Sequence, residues 1–123
     1  MAAFNADGKV VSVNDQVTII GLVSSVTGTG GNAVVAVTPN LTSSTITARA
    51  NDMNSTQQPA DASHPAVSIS GKNFGVGDNV SVLGTVTAVS GSGNTANLTV
   101  TLCTSGNSVV VPSGSVHSAQ FNG

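Results

Sequence analysis

Glutamate, tryptophan and tyrosine are all absent from this 123-residue chain. Its fixed charge is confined to Asp7, Asp15, Asp52, Asp61, Asp78, Lys9, Lys72 and Arg49, or 7% of residues, against roughly 25% in an average soluble domain. Three bases cannot form the Lys/Arg track that a phosphate backbone requires. Three phenylalanines, Phe4, Phe74 and Phe121, make a poor base-stacking platform. No nucleic-acid partner is expected. Cys103 stands alone, so no intrachain disulfide can form. No apolar run approaches the roughly 18 residues of a membrane-spanning helix, so no membrane partner is expected either. The opening "MAAFNADGK" lacks the basic and long apolar regions of a secretory leader, which leads us to expect a product made in a cytoplasm and kept or assembled there. A disordered acidic chain would carry far more charge and fewer β-branched residues. What remains is a folded chain with a hydroxyl- and amide-rich surface and a net charge of −2.

What is present is a repeat. "VNDQVTIIGLVSSVTGTGGNAVVAV" (13–37) returns 63 residues later as "VGDNVSVLGTVTAVSGSGNTANLTV" (76–100). Val13, Asp15, Val17, Gly21, Val23, Val26, Gly28, Gly30, Ala33 and Val37 recur as Val76, Asp78, Val80, Gly84, Val86, Val89, Gly91, Gly93, Ala96 and Val100. The co-registered Asp and glycines favour a tandem duplication over shared β composition, and a repeat is the first feature to seek in such a chain.

Within each copy the apolar period is two, as in a strand with one buried face. Val17, Ile19, Gly21 and Val23 alternate with Thr18, Ile20, Leu22 and Ser24, and Val80, Val82, Gly84 and Val86 do the same. Val26 and Val89 then fall out of phase, which predicts a bulge or a sharp bend near Ser24-Ser25 and Thr87-Ala88. Gly21 and Gly84 lie mid-strand on the inward face, where glycine marks a bend or a close backbone approach. "TGTGGN" (27–32) and "SGSGNT" (90–95) read as hairpin loops, with Gly28, Gly30, Gly91 and Gly93 supplying positive φ. Further strands are expected at 10–13, 33–38, 45–48, 67–70, 96–103 and 109–111, and no helix longer than a turn. The domain reading is an N-terminal arm (1–7), a first barrel (8–53), a linker (54–66), a second barrel (67–116) and a C-terminal arm (117–123). Each copy has only about 46 residues. A unit that small, with no disulfide and few aromatics, does not easily bury enough surface alone. The copies are expected to pack on each other or on other chains.

Little in the chain points to chemistry. Asp15 and Asp78 precede the long strands in "VND" and "VGD", where Asp bonds its own backbone in turns. Five scattered aspartates do not make a calcium cluster. The glycine loops lead into strands, whereas a phosphate cradle leads into a helix N-terminus. A zinc site would need Cys103, His64, His117 and an aspartate to converge from distant points. Cys103 ends the run "LTVTLC" and reads as a small strand residue rather than a nucleophile. No catalytic residue, cofactor or metal is expected. Phe4 and Phe121 lie near the termini, outside the repeat cores. Either they plug the barrel ends or they anchor the arms on a partner, where aromatics carry much of the energy.

"GDNVSVLGTVTAVSGSGNTANLTVTL" followed by "SVVVPSGSV" resembles small SH3-like β-barrel repeats: Gly-Asp, an alternating strand, a bend, a glycine hairpin, two strands and a Pro-containing turn. The first copy follows less closely, with Asn14 in place of the glycine and Arg49 in place of the proline. The expected fold is all-β, a tandem pair of SH3-like or OB-like barrels, with merger into one β-sandwich the open alternative. In length, composition and β-only character the chain resembles the capsid decoration, or cement, proteins of tailed bacteriophages. That resemblance implies a non-enzymatic virion protein on the capsid exterior, its partners the major capsid protein and copies of itself. The alternative is a tandem-barrel module that binds a peptide, a glycan or a cellular protein.

Overall fold

The structure, a computed structural model, describes residues 3–40 and 45–118. The first half runs β1 (Ala3–Phe4), β2 (Val10–Val11), β3 (Gln16–Thr27), β4 (Val34–Pro39), β5 (Ile46–Arg49), a 3-10 turn (Ala50–Asp52) and β6 (Met53–Ser55). The second runs β7 (Ala66–Val67), β8 (Asn73–Phe74), β9 (Asn79–Ser90), β10 (Asn97–Leu102), β11 (Ser108–Pro112), a 3-10 turn (Ser113–Ser115) and β12 (Val116–Ser118). The fold is all-β, as the sequence implies. Apart from the start of β11, each second-half element begins 63 residues after its first-half counterpart.

The main sheet has eight strands. Its path is β11-β10-β9-β3-β4-β5, curled into a nearly closed barrel, with β12 added to β3 and β6 added to β9. The two long strands pair antiparallel at its centre, with Ile19 opposite Val82. These two residues are themselves counterparts, so the halves are related by an approximate two-fold axis between them. The last strand of each half then crosses that axis. Met53 of β6 pairs with Val82 of β9, and Val116 of β12 pairs with Ile19 of β3. Each half completes the other's sheet, so the two halves share one barrel-like sheet and one core. The boundary expected at residue 53 falls at the start of β6, a strand that serves the second half.

The alternation in β3 and β9 explains the core. Val17, Ile19 and Val23 point inward with Val80, Val82 and Val86, against Val35, Val37, Leu98 and Val100 from β4 and β10. Met53 and Val116 are fully buried at the crossing points, and Phe74 of the small β7-β8 hairpin plugs the same core. Fully burying side chains of this size contributes roughly 1.5–3 kcal/mol each.

The expected bulges are present. Val23 and Ser25 pair with consecutive residues of β4, leaving Ser24 extra; Thr87 is the extra residue between Val86 and Ala88. In each bulge the extra hydroxyl bonds a carbonyl of the neighbouring strand: Ser24 Oγ to Ala36 O at 3.2 Å and Thr87 Oγ1 to Thr99 O at 3.3 Å. The mid-strand glycines answer a close approach. A Cβ on Gly21 would come within 2.6 Å of the Thr38 carbonyl oxygen, and one on Gly84 within 2.7 Å of the Thr101 carbonyl oxygen. Real Cβ atoms do not come that close, so only glycine fits where the neighbouring strand crosses.

Candidate functional site

The residues singled out by sequence fall into separate places. Asp15 and Asp78 close the turns before β3 and β9. Asp15 Oδ2 accepts the Ser12 N–H at 2.8 Å, and Asp78 Oδ2 accepts the Gly75 N–H at 2.7 Å. Both carboxylates therefore have a structural task. Asn14 (φ 79°) and Gly77 (φ 90°) are counterparts in these turns, and asparagine tolerates the left-handed conformation that glycine adopts freely. Gly28, Gly30, Gly91 and Gly93 all have positive φ in the two hairpin loops.

The histidines bind different carboxylates. His64 Nδ1 lies 2.8 Å from Asp61 Oδ1, and its Nε2 lies 3.8 Å from Asp78 Oδ2. The His64 hydrogen bond holds the Asp61 carboxyl below its usual range. His117 Nδ1 lies 3.1 Å from Asp7 Oδ1. Cys103 is exposed, with its Sγ 3.8 Å from the Asp52 carbonyl. Among the described residues no group of three or more His, Cys, Asp or Glu side chains is placed to hold a metal ion.

Apolar side chains do stand out on the surface. Phe4 is 39% exposed and pairs with Val10, 55% exposed, across the β1-β2 hairpin. Phe121 lies outside the described residues. Val13 and Val76, counterparts in the turns before the long strands, are 48% and 62% exposed. They are two equivalent apolar tips in a fixed relation, because the crossed strands lock the halves together.

Sequence reading missed one polar site. Asp52 is completely buried at the end of the first 3-10 turn. Its carboxylate accepts four hydrogen bonds: Arg49 N–H at 2.9 Å, Thr104 N–H at 2.9 Å, Ser105 N–H at 2.7 Å and Ser105 Oγ at 2.7 Å. The local cue was "RAND" (49–52), where an acid three residues on can bond back to a backbone N–H, as in a capping box. The other three bonds come from residues more than 50 positions away, and no local pattern announces them. A polar cleft of about 300 Å³ is lined by Asn32, Arg49, Asn51, Thr104, Ser105 and Asn107, three of which are bonded to Asp52. A second, mostly apolar groove of about 330 Å³ lies over Ile20, Val80 and their neighbours on β6 and β9.

No protein-family model, curated protein or solved structure matches the chain.

Proposed function

We propose that this chain is a non-enzymatic structural protein of a phage virion, bound to the capsid exterior and bridging neighbouring major capsid proteins. The observation that carries the proposal is the pair of equivalent apolar tips, Val13 and Val76, held in a fixed relation by the reciprocal strand crossing. A rigid body with two related contacts suits a partner that is itself repeated. The charge-poor surface lets many copies lie close together without mutual repulsion. A tandem duplication would be the origin of the two faces. The exposed Phe4 supplies a further anchor for the same partner.

The test is quantitative mass spectrometry on density-purified virus particles from the culture that supplied the gene. Amounts comparable to the most abundant particle protein are expected. Absence from the particles would remove this reading and leave the alternative, a binding module, for which the polar cleft lined by Arg49, Asn51 and Ser105 is the favouring observation.

A further inference from the structure

We propose that the exposed Phe4–Val10 pair is a docking site for the chain's own residues 119–123, with Phe121 as the occupant. Those residues follow β12 and lie outside the described residues. The repeat runs on into them. "MNSTQQ" (53–58) returns as "VHSAQF" (116–121), with Ser55 and Gln57 recurring as Ser118 and Gln120. At the front, Ala3, Gly8 and Lys9 recur as Ala66, Gly71 and Lys72.

The described backbone follows the same offset around this site. Phe4 lies opposite Val10 across β1-β2, and Val67 lies opposite Asn73 across β7-β8. Phe4 N–H donates to the Gly93 carbonyl at 2.8 Å, and Val67 N–H to the Gly30 carbonyl at 3.1 Å. Ala6 N–H donates to the Val116 carbonyl at 2.8 Å, and Ile69 N–H to the Met53 carbonyl at 2.9 Å. In each of these pairs one bond is the other moved along the chain by 63 residues. The chain leaving β6 then reaches β8, where Gln58 N–H donates to the Asn73 carbonyl at 3.0 Å. The same offset sets Phe121 N–H at the Val10 carbonyl. Phe121 follows Ser118 by as many residues as Gln58 follows Ser55, so the reach is the same.

The side chains at the three positions change together. Around β7-β8 they are Gln58, Asn73 and Val67, and around β1-β2 they are Phe121, Val10 and Phe4. Two amides and one valine need no apolar cover, whereas two aromatics and a valine do. Val67 and Asn73 are half-buried, while Phe4 and Val10 are 39% and 55% exposed. A ring laid over both takes apolar surface out of water, and aromatic pairs gain further from their own geometry. No side chain in "AQFNG" (119–123) carries a charge that would oppose the contact. Residues 119–123 thus form a strap over the β1-β2 hairpin. A partner that uses Phe4 as an anchor must first displace the strap, and the strap itself does not depend on whether the chain sits on a capsid.

The experiment is nuclear magnetic resonance on the full chain, isotope-labelled. Nuclear Overhauser contacts from the Phe121 ring to the Val10 methyl groups and the Phe4 ring are expected. They should be missing from the filtered spectrum of a mixture of labelled and unlabelled chains, which reports contacts between chains only. The Phe121 amide should exchange about tenfold or more slowly than in an unstructured peptide. Phe4→Ala and, separately, Val10→Asn should return most of that protection, while the Ala6 amide, bonded to Val116, stays protected and shows that the fold is kept. No contact in the folded chain, contacts between chains only, which would assign the site to a second copy, or Phe121 exchange unchanged by both substitutions would overturn the proposal.

Discussion

The two corners related by the approximate two-fold axis solve one problem with different chemistry. After β5 the chain makes a 3-10 turn, and at its last residue the fully buried Asp52 gathers four hydrogen bonds. After β11 it makes the same turn, and at the corresponding residue Ser115 donates one bond, to the Asn40 carbonyl at 2.5 Å. The backbone path is alike in both places, so the path does not depend on the buried charge. What the carboxylate adds is a tether between distant turns, and residues of both turns line the polar cleft. In this fold the strands repeat while the corners carry the individuality.

The comparison can be broken at its largest scale by separating the halves. Residues 66–123 expressed alone lack the partner strands β3 and β6, so no cooperatively folded monomer is expected. If the fragment folds, it should do so as a symmetric dimer with Val82 paired to its own copy, detectable by light scattering. A monomer with a sharp unfolding transition would break the reading that each half needs the other.

At the corner itself, Asp52→Ala strands two backbone N–H groups of the β10-β11 turn and that of Arg49. The expected loss is about 3–5 kcal/mol, the scale for removing one partner of a buried charged network, measured by urea unfolding. Gly21→Ala and Gly84→Ala each force a Cβ against a neighbouring strand. Both should lose about 1–3 kcal/mol, by similar amounts because their surroundings correspond. A large difference between the two would show that the approximate symmetry fails in energetic terms. Ser115→Ala removes a single neutral hydrogen bond and should lose only about 1 kcal/mol. Equality with Asp52→Ala would contradict the contrast drawn here.

The smallest effect belongs to the segment joining the halves. The His64 hydrogen bond lowers the Asp61 carboxyl from its ordinary value of about 3.9. Its contribution is complete above that value and is lost as pH falls through the lowered one. Asp61 is solvent-exposed, so Asp61→Asn should change stability only slightly. The change should vanish in strong acid, as followed by thermal melts across pH.

How much of this was legible beforehand follows from the range of each interaction. The position of β3 and β9, the bulges after Val23 and Val86, and the need for glycine at 21 and 84 were all readable. They arise from two-residue periodicity and from phase shifts within one strand. Asp15 and Asp78 were readable as turn residues because each bonds a backbone only three residues away. Asp52 was not, since its partners at 104 and 105 are neighbours only after folding.

By itself, then, the sequence determined an all-β chain, the face each long strand buries and where those strands bulge. These are consequences of local backbone geometry and of which side chains avoid water. Only the tertiary structure decided that β6 and β12 cross to the opposite half. A strand's own pattern fixes which face it buries but not which neighbour it joins, because the same backbone N–H and C=O groups could pair within a half or between halves. The choice rests on how the whole core closes around Ile19 and Val82, and with it come the shared barrel, the paired apolar tips and the polar cleft.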